Sequence, residues 1–275
     1  MAVICSEHSL ALGEALIGTA PAEPLVLVIE QSGPWGRDAV AALPPELPAH
    51  AAAAGARIQV VRRQTGRYDC ARPAAWLAGV GAFLERLDIE RPADLLDLDL
   101  AAGAGTPEAD PLVLVCTHST RDPCCARHGL PLHRALARFE PWHSSHLGGH
   151  RFAGTLAVLP AGVWLGRVPA AGAAALVGEV VAGRLPLDHL RGVAGRPPAV
   201  QAAELHVRRA LGLTGVGDVT GRVDGDVVRV LTPRGELVAT ARWEPTGTVR
   251  PLSCGEGAKT EDPGKWSITV PTLET

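Results

Sequence analysis

Cysteine and histidine residues concentrate in one stretch of the chain, residues 116–150. These 35 residues hold three of the six cysteines and six of the ten histidines. Thiolates and imidazoles are the side chains that bind zinc and iron–sulfur centres in proteins. The stretch therefore predicts a metal site.

The cysteines at the start of this stretch supply the first candidate ligands. Cys116 closes a run of branched apolar residues, which predicts a buried strand that holds its thiolate on a rigid edge. Cys124 and Cys125 are neighbours and follow Pro123. Two adjacent residues rarely both reach one small centre, so we expect one of the two to be a ligand.

Two histidines at the end of the stretch, His146 and His150, supply the other candidates. On a helix this spacing would place both rings on one face. The intervening Gly148 and Gly149 would cost such a helix about 1 kcal/mol each. We therefore predict a tight loop, in which the glycines let backbone N–H groups approach a bound anion.

The chemistry of the donors favours an iron–sulfur cluster over zinc. Bridging sulfides are negative and accept N–H hydrogen bonds, whereas zinc with two thiolates and two imidazoles is neutral. The gaps of eight and twenty residues also differ from those of a Cys2His2 zinc finger. The donors therefore favour iron–sulfur modestly, and a zinc site with the same ligands stays open.

Three sequence words resemble the sucrase/ferredoxin-like family of thioredoxin-like ferredoxins. They are CTHSTRDPCC, HLGGHRFAGTLAVLP and, upstream, EQSGPWG. The resemblance spans about residues 5–185 and is strongest over 111–168. It implies a non-Rieske [2Fe–2S] cluster held by two cysteines and two histidines, in a CX8C pair followed by HXGGH. That pattern falls on Cys116, Cys125, His146 and His150, and leaves Cys124 as the non-ligand.

The ligand set implied by this resemblance has consequences for redox chemistry. We expect His146 and His150 to share one iron, and Cys116 and Cys125 to hold the other. The expected potential lies between those of plant-type clusters, at about −400 mV, and Rieske centres, above about −150 mV. A free histidine N–H would couple proton to electron transfer, so a potential that stays flat from about pH 6 to 10 would argue against coupling.

An internal repeat indicates how these residues are positioned. PLVLV at 111–115 repeats PLVLV at 24–28, and each is followed by a Gly/Pro loop, a helix, a hairpin and a helix. The predicted hairpins cover 74–89 and 151–168, and the predicted helices include 92–102, 132–139 and 171–183. This order predicts an α/β fold of tandem thioredoxin-like units.

The predicted units are residues 1–105, a degenerate thioredoxin-like half, residues 106–190, the cluster-binding domain, and residues 197–275, a small α+β unit without predicted chemistry. In the first half Ile29 takes the place of Cys116. Arg63 and Arg67 take the places of the histidines. The first half is therefore predicted to be a metal-free copy.

Composition excludes several classes of protein. The net charge is −3, which gives no reason to expect nucleic acid or an anionic membrane as a partner. The first twenty residues lack the features of a secretory signal, so we expect a cytoplasmic protein with reduced thiols. The isolated Cys5, Cys70 and Cys254 are expected to be buried apolar thiols.

Three classes of function remain open at this point. The favoured one is an electron carrier that serves an unidentified redox partner protein, rather than an enzyme with its own substrate. The alternatives are a structural Cys2His2 zinc module for partner binding, and a thiol redox protein on a thioredoxin-like frame. The last is weakened because the chain has no CXXC motif.

Overall fold

A computed structural model describes residues 4–64, 72–100, 105–256 and 258–271. The helices are α1 (Cys5–Ala11), α2 (Leu47–Ala53), α3 (Pro123–Ala135), α4 (Ala173–Val181) and α5 (Pro198–Leu211). Short 3₁₀ turns cover Val40–Ala42, Pro92–Asp97, Ala137–Phe139 and His150–Phe152.

The strands fall into two groups along the chain. Those of the first 193 residues are β1 (Leu25–Glu30), β2 (Ala56–Arg62), β3 (Ala75–Gly79), β4 (Phe83–Leu87), β5 (Thr106–Pro107), β6 (Leu112–Cys116), β7 (Trp142–Ser144), β8 (Leu156–Leu159), β9 (Val163–Leu165) and β10 (Leu190–Val193). The later ones are β11 (Thr220–Asp224), β12 (Val227–Thr232), β13 (Gly235–Glu244), β14 (Arg250–Pro251), β15 (Thr260–Glu261) and β16 (Lys265–Thr269).

One ten-stranded sheet contains both copies of the repeat, in the order β10-β9-β8-β6-β7-β2-β1-β3-β4-β5. From its centre outward, each half has the same pattern. A parallel pair (β7 with β6, and β2 with β1) is followed by antiparallel partners. The halves meet through the antiparallel contact of β2 with β7. The α/β class and the repeated strand order agree with the predicted fold, while the exact domain limits stay predictions.

The strand register corrects the predicted alignment of the two copies. In the first half Ile29 pairs with Val60, and in the second Cys116 pairs with Ser144. Two residues beyond these partners lie Arg62 and His146. The place of His146 in the first half therefore belongs to Arg62, one residue before the predicted Arg63.

Arg62 and Arg63, the described arginines at the corresponding place in the first half, both contact neighbouring residues. The Arg62 guanidinium donates to the carbonyl oxygen of Gly33 at 2.8 Å and lies 4.1 Å from the Trp35 ring centroid. The Arg63 guanidinium lies 3.7 Å from the ring centroid of Trp142. Both cations pack on aromatic faces. Arg67 and Cys70 lie outside the described residues.

Alternating residues of the central strands bury both faces of the sheet. In β6, Val113 and Val115 pack with Leu132 of α3 and Val177 of α4. Its other face joins a cluster that contains three tryptophans, Trp76, Trp142 and Trp164. All five residues of β6 are buried, which agrees with the prediction of a buried strand that ends at Cys116.

Several predicted elements differ in extent from the observed ones. Residues 92–97 form a 3₁₀ turn where a helix over 92–102 was predicted. Helix α3 begins at Pro123, nine residues before the predicted start at 132. Strand β7 is three residues long and was not predicted, because so short a strand carries no periodic signal.

The C-terminal part packs α5 against the four-stranded sheet β11-β12-β13-β16. Its core consists of small apolar side chains, Val200, Ala203, Val207, Val219, Val228, Val230, Ala239 and Val270. The β14–β15 hairpin leaves this sheet and returns to the N-terminal segment, where the Arg250 Nη2 donates to Glu14 Oε1 at 3.0 Å. Within the described ranges, no helix has the length and apolar character needed to cross a bilayer.

Candidate metal centre

Strand β6 fixes the position of Cys116. The Cys116 N–H donates to the carbonyl oxygen of Thr155 at 3.0 Å, and the next N–H, that of Thr117, donates to Ser144 at 3.1 Å. The residue is therefore held on both sides by neighbouring strands. Its thiol is buried at the edge where the sheet meets α3.

The start of α3 separates the two adjacent cysteines. The Asp122 side chain caps the helix and accepts the Cys124 N–H at 2.9 Å, with Pro123 in the first turn. Successive residues of a helix point about 100° apart, since one turn takes about 3.6 residues. Cys124 and Cys125 therefore face different surroundings.

Cys125 lies with Cys116 and His146. The Cys125 Sγ is 3.6 Å from the His146 Nδ1, and the Cys116 Sγ is 4.0 Å from the same nitrogen. These three ligand atoms form a compact group in which both thiols are buried and the imidazole is half-buried. Three of the four predicted ligands thus come together.

Cys116 is the more acidic of the two thiols of this group. A hydrogen bond from Cys125 lowers the pKa of Cys116, against the effect of its burial and with help from His146. The same hydrogen bond, together with burial, raises the pKa of Cys125. Cys116 is therefore the thiol that loses its proton more readily, and the thiolate is the form that ligates metals.

His150, the fourth predicted ligand, lies outside this compact group but beside it. Its ring centroid is 5.4 Å from that of His146. The His150 Nε2 lies 2.9 Å from the carbonyl oxygen of Leu252, and because a carbonyl only accepts, Nε2 carries the proton. The Nδ1 is buried and has no hydrogen-bond partner among the described residues. Burial lowers the pKa of His150, so the ring is neutral.

This donor set fits a [2Fe–2S] cluster with mixed ligands. A metal-ligating histidine commonly donates its second ring N–H to a backbone carbonyl, which fixes the tautomer. His150 already makes that hydrogen bond and leaves one buried nitrogen unused. Two thiols, the His146 Nδ1 and the His150 Nδ1 are the nitrogen and sulfur donors that such a cluster needs.

The loop between the two histidines is not helical, as predicted. Gly148 and Gly149 have φ values of 75° and 62°, which an L side chain rarely adopts. A Cβ atom on Gly149 would lie 2.9 Å from Phe152 and 3.1 Å from Arg191. The glycines therefore also make room for these two side chains. Contact of their N–H groups with a bound anion stays a prediction.

Arg191 supports this loop from β10 and was missed by the sequence reasoning. Its guanidinium is fully buried and donates to the carbonyl oxygens of Leu147, at 3.2 Å, and Gly148, at 3.0 Å. It also donates to Thr19, to the hydroxyl at 3.0 Å and the carbonyl at 2.6 Å. Burial lowers its pKa to about 9. A positive charge thus lies directly under the ligand loop.

The other histidines of the stretch have separate roles. The His118 Nε2 donates to the Gly36 carbonyl at 2.7 Å, and its ring meets Trp35 edge-on. The EQSGPWG segment of the first half therefore holds the residues that follow Cys116. The rings of His133 and His143 stack with their centroids 3.6 Å apart, and burial lowers the pKa of His143 to about 4.

A second group of thiols, not anticipated from the sequence, surrounds Cys124. The Cys124 Sγ lies 3.6 Å from the Cys5 Sγ and 3.2 Å from the Cys254 Sγ, and the Asp122 carboxylate completes the group. Cys5 is buried, as expected, whereas Cys254 is half-buried, and both lie beside the Asp122 carboxylate rather than among apolar side chains alone. Their residues lie more than a hundred positions apart along the chain, which is why no local motif reveals the group.

The sucrase/ferredoxin-like family model matches residues 16–192, more than half of the chain. The chain belongs to this family. The matched segment contains the ten-stranded sheet, except for the last residue of β10, Val193, and all four ligands proposed from the CX8C and HXGGH pattern. It leaves out Cys5, Cys254 and Leu252. No curated protein and no solved structure matches the chain.

The family match and the grouped side chains together bear on function. This is a sucrase/ferredoxin-like protein with two Cys/His or Cys/Asp groups that could hold a metal. Each group contains one of the two adjacent cysteines in the first turn of α3. Cys125 belongs to the first group and Cys124 to the second.

Close packing at Gly129 gives a first test of this arrangement. Gly129 lies in α3, and a Cβ there would overlap the carbonyl oxygen of Cys116. We expect Gly129→Ala to destabilise the fold by about 3 kcal/mol, because rigid backbone must move. Chemical denaturation followed by circular dichroism measures this.

The matched control is Gly178→Ala in α4, where a Cβ meets only the flexible end of Arg138 at 3.3 Å. It should gain up to about 1 kcal/mol from helix propensity. Equal stability of the two alanine variants would contradict the close approach of α3 to the ligand strand.

Proposed function

We propose that this protein is a one-electron carrier with a [2Fe–2S] cluster held by Cys116, Cys125, His146 and His150. The main support is the convergence of both thiols on the His146 Nδ1, beside a His150 ring whose Nδ1 has no described partner. When bound, such a cluster accepts and releases one electron. A partner redox protein would supply and remove that electron.

The protein's own residues prepare this site in three ways. The Leu252 carbonyl fixes the proton of His150 on Nε2 and frees Nδ1 for a metal. The buried Cys116 and Cys125 sulfurs lie 4.0 and 3.6 Å from the same His146 nitrogen, so three donors already converge. Arg191 places a buried positive charge beneath the loop, which offsets the negative charge of thiolate ligands.

Metal analysis of the purified full-length protein tests the proposal. We expect about two irons and two acid-labile sulfides per chain, a red-brown colour, and an electron paramagnetic resonance signal after one-electron reduction. Cys116→Ser should remove the iron and the colour. A colourless wild-type protein whose zinc is lost in Cys116→Ser would instead indicate the structural zinc module.

A further inference from the structure

We propose that the second group is a structural zinc site, formed by the thiolates of Cys5, Cys124 and Cys254 with the Asp122 carboxylate as fourth ligand. The group brings together three parts of the chain: α1, the first turn of α3, and the loop between β14 and β15. Cys5 and Cys124 are 119 positions apart, and Cys124 and Cys254 are 130 apart.

The spacing of the sulfur atoms suits one tetrahedral ion. Their three separations are 3.2, 3.5 and 3.6 Å. Sulfurs bound to tetrahedral zinc at about 2.3 Å lie about 3.8 Å apart, so a small outward movement is enough. A disulfide needs about 2.05 Å, and all three cysteines are free thiols.

The carboxylate lies on the same group and is already oriented. Both Asp122 oxygens are 3.8 Å from the Cys5 Sγ. The N–H groups of Cys254 and Cys124 each donate to one of these oxygens at 2.9 Å. The carboxylate is thus a fixed oxygen donor with lone pairs to spare.

Hydrogen bonds already reach two of the three sulfur atoms. The Ser6 hydroxyl lies 3.2 Å from the Cys124 Sγ, and the Cys5 N–H donates to the Cys254 Sγ at 3.4 Å. Cys124 further lies in the first turn of a thirteen-residue helix, where the N-terminal dipole favours a negative sulfur. Three thiolates and a carboxylate form a closed set of soft and oxygen donors, which is typical of a structural zinc ion.

A zinc ion bound here would connect α1 and the loop between β14 and β15 to the start of α3. Leu252, two residues before Cys254, supplies the carbonyl that orients His150. A zinc ion that holds Cys254 would therefore hold this carbonyl as well. The site lies outside the segment that the family model matches, except for Asp122 and Cys124.

Elemental analysis of the full-length protein tests the proposal independently of the iron cluster. We expect one zinc per wild-type chain in addition to any iron. Cys5→Ser and Cys254→Ser should each lose the zinc, whereas Cys116→Ser should keep it and lose only iron. Cys70→Ser is the control that removes a cysteine without changing the zinc content.

Cobalt provides a second measurement that does not depend on how well Cys5→Ser and Cys254→Ser fold. The Cys116→Ser protein, stripped of zinc and given Co²⁺, should show the intense visible bands of tetrahedral cobalt and a thiolate charge-transfer band. Zinc-free wild-type protein that takes up no cobalt would overturn the site. A Cys124–Cys254 disulfide in the purified protein, or iron in place of zinc, would also overturn it.

Discussion

Replacing Cys125 with serine is expected to abolish the iron–sulfur cluster, whereas replacing the adjacent Cys124 is expected to leave it in place. Cys125 lies 3.6 Å from the His146 Nδ1, and Cys124 faces Cys5 and Cys254 instead. Iron should fall from about two per chain to nearly none in Cys125→Ser and stay at about two in Cys124→Ser. Iron analysis and visible absorption measure both.

The two variants form a matched pair, because they change the same side chain at neighbouring positions of one helix. Cys124→Ser should lose zinc and keep iron, and Cys125→Ser should do the reverse. If Cys124→Ser lost its iron and Cys125→Ser kept it, Cys124 would be the ligand instead of Cys125, and the CX8C assignment would be rejected. Loss of iron in both would show that the α3 terminus acts as one unit.

Two local signals of the stretch 116–150 appear in the structure as predicted. A buried apolar run ends at Cys116, and the glycines rule out a helix between the histidines. The start of α3 also carried a local signal that the sequence reasoning overlooked. Asp122 followed by Pro123 is a favourable helix start, and it would have placed both following cysteines in the first turn.

The residues that support the ligands could not be predicted in the same way. Arg191, Leu252, Cys5 and Cys254 reach the site through contacts across 43 to 249 positions of sequence. No periodicity or spacing records such contacts, which depend on how the sheet and the terminal segments pack. An arginine within the short apolar strand β10 was the one available hint.

The first half of the repeat supports the site without sharing its chemistry. Its Ile29 and Arg62 replace Cys116 and His146 in the strand register. Its loop after β1 binds the segment after β6, where the Thr120 hydroxyl lies 3.0 Å from the carbonyl oxygens of Trp35 and Gly36. The degenerate copy thus extends the sheet and fixes the segment between Cys116 and α3 in the other copy.

Arg191→Met is expected to destabilise the protein by about 3 kcal/mol and to weaken retention of the cluster. The change leaves the buried carbonyls of Leu147, Gly148 and Thr19 without their charged donor, at about 1 kcal/mol or more each. Removing a buried charge by itself increases the free energy of unfolding. That gain is small here, because four hydrogen bonds to Leu147, Gly148 and Thr19 already compensate the guanidinium. The loss of the donors therefore dominates.

Chemical denaturation monitored by circular dichroism measures the stability, and visible absorption measures the cluster. Arg209→Met is the control, since this exposed arginine makes weak contacts with Asp188 and the Leu187 carbonyl and should change stability by less than about 0.5 kcal/mol.

Arg191→Lys separates the charge of Arg191 from its hydrogen bonds. Lysine keeps the positive charge but lacks the planar set of five donors, so it should recover only part of the stability. If charge offsets the thiolates, Arg191→Met should also lower the reduction potential of any remaining cluster, and Arg191→Lys should restore it. If the Arg191→Met protein had wild-type stability and reduction potential, Arg191 would not be a support of the loop between His146 and His150.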